Sequence, residues 1–81
     1  RDRDYTKALE FDPENIGVWH NMALCRIRQE DYKGAKNDLD KLIAISPRYT
    51  KAYLMRGEVD LKQKDTLAAE KDFGKAIEID R

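Results

Sequence analysis

The sequence has few of the residues that interrupt or cross-link a chain: one cysteine, two prolines and four glycines among 81 residues. A single cysteine excludes an internal disulfide, and a single histidine beside it excludes a cysteine–histidine metal cluster. We therefore expect neither a metal site nor a cofactor. The unpaired thiol favours a reducing compartment such as the cytoplasm, although the sequence does not specify one.

Neither sign of charge is in excess, because 16 lysines and arginines are matched by 16 aspartates and glutamates. A nucleic-acid-binding domain is expected to carry a basic excess, so we expect no nucleic-acid partner. Long apolar runs are also lacking. None reaches the length of a signal sequence or a membrane span, so we expect no membrane partner.

The residues that could perform catalysis are equally scarce. The only serine is Ser46, the only histidine is His20 and the only cysteine is Cys25. On a helix, side chains five positions apart point about 140° away from each other, so His20 and Cys25 do not form a nucleophile–base pair. Glycine-rich phosphate loops and metal-ligand spacings are missing as well. We predict that the chain is not an enzyme.

What the sequence does contain is an internal repeat of 34 residues. A shift of that length places Trp19 on Tyr53, and the chain then amounts to about 2.4 copies of one unit. Large, small and proline positions recur in register. The identical pairs are Gln29/Gln63, Asp31/Asp65, Ala35/Ala69, Asp38/Asp72, Lys41/Lys75, Ile43/Ile77 and Ile45/Ile79.

Both full copies follow one pattern: a large aromatic, a small residue four positions later, an alanine and a second large residue. The first copy closes on a proline. These positions are Trp19, Ala23, Ala35, Leu39 and Pro47 in the first copy, and Tyr53, Gly57, Ala69 and Phe73 in the second.

This pattern resembles the tetratricopeptide repeat, a 34-residue helix–turn–helix unit. The resemblance implies an all-α fold, an α–α superhelix or solenoid of antiparallel helix pairs. The apolar periodicity predicts five helices, at about 3–11, 16–29, 32–45, 51–64 and 66–79. We divide the chain into 1–15, the second helix of a truncated unit, and the two full units 16–49 and 50–81, and expect a fragment of a longer array.

Short polar residues predict where the helices begin. Asn15 and Thr50 are the expected N-caps of the first helices, and Asp31 and Asp65 those of the second helices. The small residues of the pattern predict close approaches between helix axes. We expect a large side chain in place of Ala35 or of Ala69 to overpack such a contact.

Two sets of charged residues stand out in the repeat: one departs from the family pattern, and the other recurs in every unit. Arg26 and Asp60 take the place of the usual second aromatic of the family. Their 34-residue separation predicts either an ion pair across the seam between the units or two unrelated solvated charges. Aspartate–lysine pairs recur at i, i+3 on the second helices, where we expect a solvated outer face. They are Asp4/Lys7, Asp38/Lys41 and Asp72/Lys75.

The resemblance also implies a function: the first helices line a concave groove that holds a peptide segment of a partner protein. The groove side is modestly basic on a neutral molecule, which favours an acidic or partly apolar peptide. The positions that the family uses correspond here to Gly17, His20, Asn21, Leu24 and Arg28 in one unit, and to Lys51, Leu54, Met55, Glu58 and Lys62 in the next.

Some members of the family bind the acidic tails of heat-shock chaperones through a clamp of lysine, asparagine and arginine side chains. In one register Asn21 and Lys51 match the clamp, but Met55 replaces its arginine. In the other register His20 and Leu24 replace its first lysine and asparagine, and Met55 replaces its second asparagine. A groove centred on leucine and methionine suits a partly apolar segment better.

A structural spacer or self-association segment of a larger protein is the alternative. Apolar stripes at the two ends of the stack would then be the functional surface, and a homo-oligomer could form through them. The stripes are Tyr5, Leu9 and Phe11 at one end, and Phe73, Ile77 and Ile79 at the other.

Overall fold

The computed structural model describes residues 2–81, with side chains from residue 4, and this part of the chain contains five α-helices and no strand. The predicted all-α class is therefore confirmed. All five helices lie within two residues of their predicted bounds. They are α1 (Asp2–Phe11), α2 (Ile16–Arg28), α3 (Tyr32–Ile45), α4 (Thr50–Lys62) and α5 (Thr66–Ile79).

Consecutive helices pack against each other as antiparallel neighbours. The closest pairs are α2 with α3 and α4 with α5, and α3 joins the two pairs by packing against α4. The result is a slab of 35 × 26 × 14 Å in which each helix contacts the next along the chain. Connections of three or four residues favour this packing of each helix against the next. The predicted solenoid of helix pairs is confirmed.

Side-chain caps begin three of the helices as predicted. Asn15 Oδ1 accepts a hydrogen bond from the Val18 amide at 3.1 Å. Asp31 Oδ1 accepts one from the Gly34 amide at 3.0 Å, and Asp65 repeats that bond one unit later. The prediction for Thr50 is wrong: α4 already includes Thr50, and the capping position is held by Tyr49, whose side chain caps nothing.

The first helices of both units end in the same turn. Glu30 and Lys64 take left-handed backbone conformations, with φ of 61° and 63°. Beyond them the amide of Asp31 bonds to the carbonyl oxygen of Arg26, and the amide of Asp65 to that of Asp60, both at 2.8 Å. This is the Schellman arrangement, here without glycine. It ends α4 two residues before the predicted boundary.

Small residues admit large ones at the helix crossings. Ala23, Ala35 and Leu39 have no exposed surface and form the centre of the core. In the second unit a Cβ atom added to Gly57 would lie 2.6 Å from Cε1 of Phe73, so only glycine permits that approach. The predicted close approach of the two helices is present in both units.

The large aromatic of each unit has a polar tip that ties it to the preceding turn. Trp19 donates from Nε1 to the Pro13 carbonyl oxygen at 2.8 Å. Tyr53 donates from its hydroxyl to the Pro47 carbonyl oxygen over the same distance. A buried aromatic with a polar tip needs such an acceptor, so both ring types serve this position.

The six apolar residues predicted at the ends of the stack all keep accessible surface, in different amounts. Phe11 is 94% exposed and Ile77 is 67% exposed. The other four end residues are half-buried: Tyr5, Leu9, Phe73 and Ile79.

Candidate functional site

The ten predicted groove residues all have accessible surface, and they lie on the two first helices. Helix α2 carries five of them and α4 carries the other five. Three are half-buried: His20, Leu24 and Met55. The other seven are exposed: Gly17, Asn21, Arg28, Lys51, Leu54, Glu58 and Lys62.

The exposed charges of this set are mainly positive. Arg28, Lys51 and Lys62 carry three positive charges against the single carboxylate of Glu58. The helices bear further arginines, Arg26 and Arg56, but those side chains bond to aspartates of the second helices. The positive character of the groove therefore rests on its exposed residues alone.

Three apolar residues of the predicted groove, Leu24, Leu54 and Met55, are partly accessible, and we call them its apolar floor. Met55 packs against the core cluster, so only part of its side chain is open to a ligand. Leu54, at the preceding position of α4, is 43% exposed. Leu24 on α2 is half-buried as well, so both first helices combine accessible apolar surface with exposed cations, a mixture that suits a peptide with mixed side chains.

The ion pair predicted between Arg26 and Asp60 is wrong. Arg26 instead donates from Nε to Asp38 Oδ2 at 2.8 Å and from Nη1 to Asp31 Oδ2 at 3.3 Å, within its own unit. Its side chain points toward α3 and not along the stack. The hydrogen bond with Asp38 raises the pKa of the guanidinium.

Asp60 is instead buried between the units. It has no exposed surface, and no described residue directs an aligned hydrogen bond at either oxygen. Its counter-charge comes from the preceding unit, where Nζ of Lys36 lies 2.7 Å from Oδ1. Burial raises the pKa of the Asp60 carboxyl, and the neighbouring Asp72 carboxyl adds to the rise.

Arg56 connects three helices. It donates from Nε and Nη2 to the two oxygens of Asp72, at 3.0 and 2.7 Å, and from Nη1 to Asp40 at 2.9 Å. Burial acts to raise the pKa of Asp72, but the paired hydrogen bonds from Arg56 hold it below its ordinary value.

The outer face predicted for the recurring aspartate–lysine pairs is therefore wrong for two aspartates. Asp38 and Asp72 are each 6% exposed and point toward the first helices. Lys75 lies near Glu78 instead, with 3.4 Å between Nζ and Oε1. The i, i+3 spacing shows that two residues are neighbours on a helix surface. It does not show whether that side of the helix faces solvent or the neighbouring helix.

One residue of the groove region was missed by the sequence analysis. Tyr49 stands where the repeat places Asn15 of the first unit, and its hydroxyl lies 2.8 Å from Nδ1 of His20. The signal was present in the 34-residue shift, which maps Asn15 to Tyr49. Because threonine is a preferred capping residue, the cap was assigned to Thr50, and Tyr49 was not considered.

Two other kinds of site, a metal centre and a membrane span, have no candidate in the part of the chain that the structure describes. Its histidine, cysteine and acidic side chains form no group of three that could hold a metal ion. Its helices are also too short or too polar to cross a membrane.

Comparison with protein-family models gives two matches, both described as "Tetratricopeptide repeat". One matches residues 4–37 and the other residues 50–81. Among curated proteins, RNA polymerase II-associated protein 3 of Xenopus tropicalis is 36% identical over 76 residues. That alignment covers 94% of this chain but 12% of the relative.

Solved structures agree with the fold. The structure "First TPR of Spaghetti (RPAP3) bound to HSP90 peptide SRMEEVD" superposes with a TM-score of 0.88 at 30% identity, covering 94% of this chain and 60% of that one. MamA superposes with a TM-score of 0.89 at 21% identity, over 93% of this chain and 44% of that one. The second likeness concerns the fold alone.

Proposed function

Because the chain belongs to the tetratricopeptide-repeat family of protein-interaction modules, we propose that it binds an acidic, partly apolar peptide segment of a partner protein in the groove between α2 and α4. The observation that carries the proposal is the pairing of exposed cations with an open apolar floor. Arg28, Lys51 and Lys62 supply the cations, and Leu54 and Met55 on α4 supply partly accessible apolar surface.

The charges elsewhere on the first helices support an acidic ligand. Arg26 and Arg56 are engaged with aspartates and contribute little field to the groove. The exposed cations have no comparable partner among the ion pairs of the described residues, so a ligand carboxylate can approach them without displacing an internal pair.

A structural relative supports the chemical class of the ligand. That protein, 30% identical, is bound to the peptide SRMEEVD, which combines three acidic residues with methionine and valine. The same mixture suits the lysines and the apolar floor of this groove. Here the clamp is incomplete because Met55 replaces its arginine, and we expect Met55 to contact an apolar side chain of the peptide instead.

The test is a titration of the fluorescently labelled peptide SRMEEVD with the chain, followed by fluorescence anisotropy. We expect saturable binding, and we expect the triple variant Asn21→Ala, Lys51→Ala, Met55→Ala to lose at least about tenfold in affinity, because charged hydrogen bonds and apolar contact are removed together. Binding should also weaken as salt is raised.

A matched control separates the groove from general charge. Lys33→Ala with Lys71→Ala removes two exposed lysines from the second helices and leaves the groove untouched. We expect that variant to bind within about twofold of the wild-type chain. Equal affinity of the groove triple variant and the wild-type chain would contradict the proposal.

Self-association through the ends of the stack is the second candidate. A cavity of 230 Å³ lies between α4 and α5, lined by Thr50, Leu54, Ala76, Ile77 and Asp80. At the other end Phe11 projects almost fully into solvent. Sedimentation over a concentration series tests it: a mass that rises with concentration and falls in Ile77→Lys supports self-association.

The organisation proposed for the chain follows the repeat. Residues 16–49 and 50–81 are two full units, and α1 within 1–15 corresponds to the second helix of a unit. In this proposal the chain is a binding scaffold without catalysis, and its ligand is a protein segment instead of a nucleic acid or a membrane. Mass spectrometry of the labelled peptide after incubation with the chain checks that description. We expect the peptide to bind and its mass to stay unchanged.

A further inference from the structure

His20 on α2 and Tyr49, directly before α4, form a polar contact between the two first helices. The Tyr49 hydroxyl lies 2.8 Å from Nδ1 of His20. The two rings meet edge to face, with centroids 5.8 Å apart and planes inclined by 67°. Tyr49 itself packs against the core cluster, so its ring is anchored. The contact therefore fixes the direction of the imidazole.

The hydroxyl can fix the position of the imidazole proton as well as the ring. A neutral imidazole has one N–H donor and one acceptor nitrogen. When the Tyr49 hydroxyl donates to Nδ1, the ring proton lies on Nε2. Nε2 of His20 has no hydrogen-bond partner among the described residues, and it is not among their buried side-chain atoms that lack a partner, so it keeps access to solvent on this half-buried residue.

We infer that Tyr49 is a positioning residue that holds His20 with its Nε2–H directed at the bound peptide, where it donates a hydrogen bond to a carboxylate or a backbone carbonyl. The inference rests on the proposed function and adds a donor to it. A donor held by a rigid neighbour loses little freedom on binding, so its hydrogen bond contributes more to affinity.

The repeat makes this donor specific to one unit. Thirty-four residues after His20 the same position is Leu54, which is apolar and 43% exposed. The groove therefore presents a hydrogen-bond donor on α2 and an apolar surface at the equivalent place on α4. A peptide with a polar acceptor at one point and an apolar side chain one unit away would be held in a single register.

Two conservative substitutions separate the two nitrogens of the ring. The amide of His20→Asn can reach the place of Nδ1 and keep the contact with Tyr49, but it leaves the place of Nε2 empty. The longer amide of His20→Gln can reach the place of Nε2. With labelled SRMEEVD as the probe at fixed pH and salt, we expect His20→Asn to weaken binding about three- to tenfold. We expect His20→Gln, which keeps the donor but loses the contact with Tyr49, to weaken it less, by about two- to threefold.

A double-mutant cycle tests whether Tyr49 acts through His20. Tyr49→Phe removes the hydroxyl and keeps the ring, so its packing against the core persists. We expect it to weaken binding about two- to fivefold in the wild-type background and to have no further effect in His20→Asn. A residue that serves only to stabilise the fold would give the same loss in both backgrounds. Thermal unfolding of each variant accompanies the cycle.

The tautomer gives a readout that needs no peptide. The ¹⁵N chemical shifts of the imidazole distinguish Nε2–H from Nδ1–H. We expect the Nε2–H form in the wild-type chain and a mixture in Tyr49→Phe. A predominantly Nδ1–H wild-type ring, or His20→Asn binding as tightly as wild type, would overturn the inference.

The two levels of the argument fail in different ways. If the peptide binds and Lys51→Ala weakens it while His20→Asn does not, the groove function stands and the His20 donor is rejected. If the wild-type chain does not bind SRMEEVD, both are rejected for peptides of that class.

Discussion

The two helix pairs α2–α3 and α4–α5 have the same backbone arrangement but opposite charge relationships at one contact. In the first pair Arg26 bonds to Asp38 at 2.8 Å. Thirty-four residues later the same two positions are Asp60 and Asp72. An arrangement that forms an ion pair in one unit therefore brings two carboxyls together in the other.

The second pair resolves this conflict with cations from other positions. Arg56, one helical turn before Asp60, binds Asp72 through two nitrogens. Lys36 reaches Asp60 from α3 of the first unit. The charge balance of the second unit thus depends on the first unit. In this pair of repeats, the two units are therefore coupled by an ion pair in addition to apolar packing.

The largest expected effect follows from removing the cation that the first unit lends to the second. Lys36→Met leaves Asp60 buried beside Asp72 without a counter-charge, and we expect the free energy of unfolding to fall by about 3 kcal/mol. Lys33→Met on the same helix is the control, since Lys33 is exposed. Chemical denaturation at pH 7 measures both, and equal effects would show that the Lys36–Asp60 contact does not couple the units.

The small residues at the helix crossings give the next largest effect. Gly57→Ala would force its Cβ into Phe73, whose ring can move only by disturbing α5, and we expect a loss of about 2 kcal/mol. Gly74→Ala is the matched control, because nothing lies within 4 Å of the added Cβ. We expect the control to gain up to about 1 kcal/mol from helix propensity. A gain in both variants would mean that the second unit tolerates the alanine found at Ala23.

The smallest effect has the clearest pH signature. Asp60→Asn removes the carboxyl whose pKa burial raises, and we expect a gain of about 1 kcal/mol at pH 7. Because the folded state binds that proton more tightly than the unfolded state, wild-type Asp60 is least favourable above its folded pKa. The gain should therefore shrink as the pH falls through that pKa toward 3.8, the ordinary pKa of an aspartate.

Asp72 is expected to change stability with pH in the opposite direction to Asp60. Its pKa is lowered, so its contribution to stability is present above the unfolded value of 3.8 and is lost as the pH falls through the folded pKa. Denaturation curves of wild type and Asp60→Asn, recorded from pH 7 down to the lowest pH at which both remain folded, separate the contributions of the two carboxyls to stability. A gain that stays constant with pH would show that Asp60 is not the group whose pKa is raised.

The fold was readable from the sequence because the repeat is a strong and redundant signal. Trp19, Ala35 and Pro47 each have weak individual meaning, but their recurrence at one interval indicates helices, crossings and turns together. The groove residues follow from the same register, and all ten have accessible surface. Their role in binding remains a prediction.

The side-chain pairs were not readable, for a geometric reason. A 34-residue shift identifies equivalent positions, but equivalent residues need not touch. Arg26 and Asp60 are equivalent positions, but they have different partners. Arg26 pairs with Asp38 on the second helix of its own unit, and Asp60 pairs with Lys36 of the preceding unit. Partner choice depends on side-chain reach and direction, which a one-dimensional pattern does not contain.

Trp19 is the only tryptophan of the chain, and its indole N–H bonds to the Pro13 carbonyl oxygen at the turn between α1 and α2. Its fluorescence therefore reports one joint of the stack, while circular dichroism reports all five helices. Recorded on the same sample, the two signals show whether the chain melts as one cooperative body: coincident curves mean that it does, and an early change in emission means that α1 detaches first.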